Sequence, residues 1–288
     1  MDSVILKNKD VVAVFASAKG MNLMQFQVGG IDIIDLNTRP LFEERFAGLG
    51  SLIGPHFHHR PADQIPKVPF ESLFPHIAKL RAKGVLEPFS HGIARYAPWN
   101  VQSTGSSIQA KLSGSDLWNG VPLSLLEGFS FQMELAVSLL PKGLLLDYSV
   151  EAEKSSLVGL HYYYTLPSGG GRIKAAVENM YREQDEWKPI PTSLLDEKGN
   201  LFFDAMQEVD VGFIPKKGKE GFEIFYENKR FTLKISFLVE GGEASWQLYR
   251  PKDASYICIE PLSAKDPKHP IYKKSRIQVK IEVLEIKT

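Results

Sequence analysis

Cysteine is nearly absent from this chain: Cys258 is the only one among 288 residues. An intramolecular disulfide is therefore excluded, and a reducing, cytoplasmic compartment is the expectation. Long apolar runs are missing too, so no bilayer-spanning segment is expected. The first twenty residues carry isolated charges and no apolar core, so no signal peptide is expected either. Charge of one sign is not in excess, since 34 Lys and Arg offset 34 Asp and Glu. That balance argues against nucleic acid or an anionic membrane as the main partner. Several signatures are absent: a glycine loop leading to a lysine, a dinucleotide fingerprint, zinc-pattern cysteines and a nucleophile elbow. Internal repeats and low-complexity segments are lacking as well, and helical periodicity is scarce.

What the chain has instead is period-two alternation. Val4 and Leu6, then Val11, Val12 and Val14, read as two short strands. Residues 22–28 and 31–36 flank Gly29-Gly30, a hairpin signal. Phe131, Met133, Leu135, Val137 and Leu139 fall on one face, with Gln132, Glu134 and Ser138 on the other. Pro141-Lys142-Gly143 then turns the chain, and residues 144–151 return. The pattern recurs at Phe231, Leu233, Ile235 and Phe237. It recurs again at Ile277, Val279, Ile281 and Val283, then slips phase at Leu284, which predicts a bulge. Residues 51–59 alternate in a mixed way. The one notable helix is predicted to start at Pro75 and end at Gly84. Residues 216–220 and 264–274 read as loops, neither long enough for a domain linker. With 43% apolar residues, the chain is expected to form a single domain over residues 1–288, an antiparallel all-β fold of two packed sheets with few short helices.

Chemistry-bearing residues sit in a few places. Gly159-Leu160-His161-Tyr162-Tyr163-Tyr164-Thr165-Leu166-Pro167 reads as a buried strand with His161, Tyr163 and Thr165 on one face. An imidazole beside aromatic faces and a hydroxyl suits a sugar, whose C–H faces stack on rings. Ser90-His91-Gly92-Ile93-Ala94-Arg95-Tyr96-Ala97-Pro98-Trp99 brings a histidine, an arginine and a tryptophan together. Alone, His91 reads as a loop histidine bonded to backbone. Glu260 ends the apolar stretch Tyr256-Ile257-Cys258-Ile259 before Pro261. It reads either as a strand end facing water or as a carboxylate held for a purpose. Asp210 fits the polar half of an alternation. His56, His58 and His59 offer a His-x-His spacing for a metal, with a third ligand needed from elsewhere.

Taken together, four segments resemble the aldose 1-epimerase (galactose mutarotase-like) superfamily, including its hexose-6-phosphate epimerase branch. Residues 90–99 resemble its His-Gly-Phe-Ala-Arg then Trp block, and residues 159–167 its His-x-Tyr-Phe block. Residues 256–261 are similar to its strand with a glutamate before proline. Residues 189–192 and Phe203-Asp204 resemble its proline-threonine loop and Phe-Asp pair. The resemblance implies a galactose mutarotase-like β-supersandwich that interconverts the anomers of an aldose. It places Glu260 as general base, His161 as general acid and His91 as the histidine on a ring oxygen or hydroxyl. Asp210 would bind sugar hydroxyls. His59-Arg60 stands where the family has Asn-Arg, making Arg60 a sugar ligand. Arg95 matches an arginine of the sugar-phosphate branch. No metal or cofactor is implied; the expected partner is a monosaccharide or sugar-phosphate substrate, and the expected state is a monomer or homodimer. Tyr163, Tyr164 and Trp99 are candidate stacking walls, of which at most one is expected to touch sugar. The rivals are a sugar-binding module without catalysis, a metal enzyme using His56 and His58, and a sugar-phosphate epimerase gripping phosphate with Arg60 and Arg95.

Overall fold

A computed structural model describes residues 3–218 and 221–287. Among them, two large antiparallel sheets stack face to face. The first has eleven strands. Its path runs from the N-terminal edge (Ser3–Lys7, Val11–Ala16, Asn22–Val28, Gly50–Ile53) into Gly159–Thr165 and Tyr256–Leu262. It continues through Ser245–Arg250, Val209–Pro215 and Val177–Glu183 to Glu186–Pro189. The second has ten strands, centred on Phe231–Glu240, Lys274–Ile286, Gly143–Ala152 and Phe131–Leu140.

The alternation explains the layers. In Phe131–Leu140, Phe131, Met133, Leu135 and Val137 are buried while Gln132 and Glu134 face solvent. That is the one-sided pattern of a sheet with a wet outer surface. Gly159–Thr165 and Tyr256–Leu262 are different, being buried on both faces along nearly their whole length. Leu160, Tyr162 and Tyr164, with Ile257 and Ile259, join the inter-sheet core. The alternate residues point the opposite way, under a cover of loops. Tyr226 of the second sheet donates to the Thr165 carbonyl of the first at 2.9 Å, linking the layers.

The hairpin at Gly29-Gly30 forms, with both glycines at positive φ (57° and 79°). Its second arm is only Ile31–Asp32. The phase slip near the C-terminus is a bulge: Thr232 pairs with Glu285 but Leu233 with Val283, leaving Leu284 unpaired. The helix is Pro75–Ala82, with Pro75 in its first turn. Two shorter helices, Arg39–Arg45 and Leu123–Glu127, carried no comparable periodic signal.

Two expectations need correcting. Alternation over residues 51–59 yields a strand only at Gly50–Ile53. At Gly54, φ is 151° and an added Cβ would stand 2.8 Å from the Tyr148 hydroxyl. The chain turns there, and His56 to His59 lie in a loop. Within the loop expected over 216–220, Lys217–Gly218 instead pairs with Gly221 and Phe222; positions 219 and 220 lie outside the described residues.

Candidate active site

Two adjacent rows of side chains on the outer face of the first sheet form the floor of the site. The pairings Gly159↔Leu262 and Tyr162↔Ile259 set His161 directly across from Glu260. Gln247 faces Glu260 from its other side. The row continues through Gly212 to Arg182. The second row, offset along the strands, runs Tyr163, Cys258, Tyr249, Asp210. Since side chains two apart share a face, backbone register alone gathers these residues. His161 Nε2 lies 3.4 Å from Glu260 Oε1. The His161 ring stacks on Tyr163 at 4.9 Å between centroids and 13° between planes.

The cover comes from two loops. The 90–99 segment crosses Gly50–Ile53, with Gly54 N–H donating to the His91 carbonyl at 2.8 Å and Ala94 N–H to the Gly54 carbonyl at 3.1 Å. His91 holds a left-handed backbone at φ 66°, an uncommon conformation for a non-glycine residue. Gly92 follows because any Cβ there would stand 2.0 Å from the Gly54 carbonyl oxygen. The His58 N–H donates to His91 Nδ1 at 3.3 Å. That bond requires Nδ1 to be the unprotonated nitrogen, leaving Nε2–H as donor. The His91 and His161 rings meet edge to face at 5.1 Å.

A cavity of about 320 Å³ opens above the pair, lined by His161, Glu260, His91, Arg95, Tyr163 and His59 among others. Asp210, Gln247 and Tyr249 line one side. Burial is the largest influence on the ionisable groups. It pushes the Glu260 carboxyl well above its ordinary range, as does the charge of Asp210, while Arg95 pulls it back. It pushes the His161 and His91 imidazoles well below theirs, and Arg95 adds to both shifts. Arg95, 3% exposed, is thus a buried cation beside the pair. Its Nη2 has no hydrogen-bond partner, and no carboxylate lies within ion-pairing distance of it among the described residues.

The structure brings together Glu260, His161, His91, Asp210, Arg95 and His59. Arg60 is the exception and corrects the expectation of a sugar ligand. Its Nε and Nη2 grip Glu87 at 2.8 and 2.9 Å, and its Nη1 donates to the Glu127 carbonyl at 2.6 Å, outside the cavity lining. A phosphate clamp from Arg60 and Arg95 together is therefore not formed. The His56 and His58 metal reading fails for a similar reason, since His56 Nδ1 bonds Glu127 at 2.6 Å while His58 turns to the cavity. Among the described residues, His161, Cys258 and Glu260 form the only three-ligand cluster, within 4.8 Å of one another. Burial pushes the Cys258 thiol well up, away from the thiolate a metal needs. Of the candidate stacking walls, Tyr163 alone lines the cavity. Tyr164 faces the core, and Trp99 is buried with its Nε1–H on the Ala94 carbonyl at 3.0 Å.

Gln247 and Tyr249 were missed by sequence reasoning. A signal existed: Ser245–Arg250 alternates Trp246 and Leu248 with Gln247 and Tyr249, one hairpin before Glu260.

The fold is that of the galactose mutarotase-like β-sandwiches. No protein-family model and no curated protein matches the sequence. Among solved structures, the chain is similar to a putative aldose 1-epimerase from Escherichia coli K12. The identity is 14% and the TM-score 0.66, covering 98% of this chain and 99% of that one. It is also similar to a galactose mutarotase-like protein from Lactobacillus casei (13% identity, TM-score 0.66, 98% and 99% covered). A third likeness is to the GalM/aldose epimerase homologue from C. elegans (12%, TM-score 0.65, 99% of each chain). At such identities the likeness is one of fold.

Proposed function

We propose that the protein is an aldose 1-epimerase, with Glu260 and His161 as its proton-transfer pair. The observation that carries this is the 3.4 Å approach of the two groups on the floor of a cavity of about 320 Å³. Anomer exchange removes the proton of the C1 hydroxyl and delivers one to the ring oxygen. The C1–O5 bond breaks, an aldehyde forms at C1, and rotation about C1–C2 precedes closure on the other face. O1 and O5 are both bonded to C1, so their proton partners must be neighbours. The side-by-side arrangement of Glu260 and His161 meets that need better than groups straddling the ring.

Glu260 accepts the O1 proton while His161 donates to O5; closure reverses both transfers. The pair works while holding one proton between them, and its two titrations belong to the pair rather than to either residue. A second proton removes the base, and loss of the last removes the acid. The rate therefore falls at both pH extremes. With the imidazole pushed down and the carboxyl pushed up, the shared proton rests mainly on Glu260, and the form that starts the reaction, with that proton on His161, is the minor one. His91 Nε2–H is placed to donate to a sugar oxygen, and Tyr163 offers an apolar face.

The test is anomer exchange by NMR on several aldoses with wild type and E260Q. Exchange that is catalysed by wild type and lost in E260Q supports the reading. Saturable sugar binding with no catalysed exchange by wild type would leave a binding module in its place.

A further inference from the structure

The cavity above His161 and Glu260 is not the end of the groove. A second cavity of about 690 Å³ shares Phe57, His58, Asp210, Gln247 and Tyr249 with it. The same cross-strand row that holds the pair leads into it, from Glu260 through Gln247 and Gly212 to Arg182. Polar side chains of that row and of the neighbouring row are joined in sequence. Gln247 Nε2 donates to Asp210 Oδ1 at 2.7 Å, and Arg182 Nη2 donates to Gln247 Oε1 at 3.3 Å. Glycine at 212 permits this contact, because a Cβ there would stand 2.9 Å from Gln247 Oε1 and 3.4 Å from Arg182 Nε. A glycine inside a strand weakens it unless close approach requires one.

We infer that this outer cavity is a subsite for a second sugar ring, so that the substrate is the reducing end of a disaccharide or longer oligosaccharide. This deepens, and rests on, the reading of His161 and Glu260 as the anomerising pair. The inner cavity takes the reducing ring; the outer one, about twice its volume, takes the glycosyl unit linked to it. The charges fit a neutral polyhydroxyl group rather than a phosphate. Arg182 is already paired with Asp266 at 3.2 Å and Lys268 with Asp185 at 2.7 Å, and Arg250 donates to the Met206 and Ala254 carbonyls, while Glu183, Glu208 and Asp210 line the same space. A dianion would meet three carboxylates, and of the lining cations Arg250 alone has no carboxylate partner among the described residues. Sugar hydroxyls, donors and acceptors at once, suit the fixed amide, guanidinium and carboxylate groups, and Tyr249 and Phe57 supply apolar surface at the junction.

The experiment compares kcat/KM for anomer exchange of glucose, galactose, maltose, cellobiose, lactose and glucose 6-phosphate. Wild type, G212V and R182M are assayed, and binding of methyl glucoside, methyl maltoside and methyl cellobioside is measured by calorimetry. At least one disaccharide should exceed its monosaccharide by about tenfold, the scale of one well-made ring contact. Both variants should erase that ratio, and R182M covers the case in which G212V folds poorly. The subsite is overturned if monosaccharides or glucose 6-phosphate are used faster than every disaccharide and the ratios survive both variants. Tighter binding of the methyl disaccharides, lost in the variants, with no exchange by wild type would sustain the subsite while sinking the epimerase reading.

Discussion

Two buried clusters in this molecule each combine histidine with glutamate, and they behave as opposites. In one, Arg60 and His56 meet Glu87 and Glu127, whose side chains are fully buried. Their side-chain polar atoms are all hydrogen-bonded except His56 Nε2, which lies 3.9 Å from Glu87. Glu87 takes two guanidinium bonds and the Phe89 N–H, and Glu127 takes His56 and the Ile93 N–H. In the other, His161 and Glu260 meet at 3.4 Å with His161 Nδ1 unpartnered, next to the free Nη2 of Arg95. Similar residue types thus produce a staple in the first case and a site with spare bonding capacity in the second. Charge balance separates them too, since the staple answers its carboxylates with a bidentate arginine, whereas Arg95 acts on Glu260 only through space.

The sharpest way to break this contrast is to exchange the expected losses. E260Q should lower anomer exchange by about 10²–10⁴-fold, the scale of one positioned acid or base. Its thermal midpoint should hold or rise, because a desolvated carboxyl is removed; calorimetry beside the NMR assay reads both. E87Q should do the reverse, costing about 3–5 kcal/mol in urea unfolding by stranding Arg60, while exchange per folded molecule is kept. If E87Q abolished exchange in folded protein, the staple would belong to the chemistry.

R95M refines the second cluster. Removing that cation relieves the downward pull on both Glu260 and His161, so both limbs of the pH–rate profile should move to higher pH. An unmoved profile would show that Arg95 is only packing.

The smallest effect concerns a third histidine. His76 is buried between Tyr96 and Trp118, and burial lowers its pKa to about 4. A lowered folded-state pKa means the unfolded chain takes up the proton first, so stability is full above about 6.5 and is lost as pH falls towards 4. The thermal midpoint should drop across that window, and H76F should flatten the slope.

How much of this was legible in the sequence depends on distance along the chain. Alternation set the sheets, and the slip at Leu284 located its bulge, because both are local. His161 and Glu260 stood out as polar residues in apolar strands. Arg60 did not reveal its fate, because the carboxylates that capture it come from 27 and 67 residues further on. No local pattern decides whether that arginine faces sugar or protein. The protonation balance was equally hidden: burial that only the assembled loops create drives Glu260 and His161 towards neutrality.

The sheet order carries a consequence for synthesis. Gly159–Thr165 sits between Gly50–Ile53, made early, and Tyr256–Leu262, made about a hundred residues later. As the nascent chain leaves the ribosome, one edge of that tyrosine-rich strand can pair at once. The other waits for the last strands of its sheet, an interval in which an open apolar edge invites pairing with other chains. Loss of residues after 255 should therefore yield aggregates rather than a folded, inactive protein.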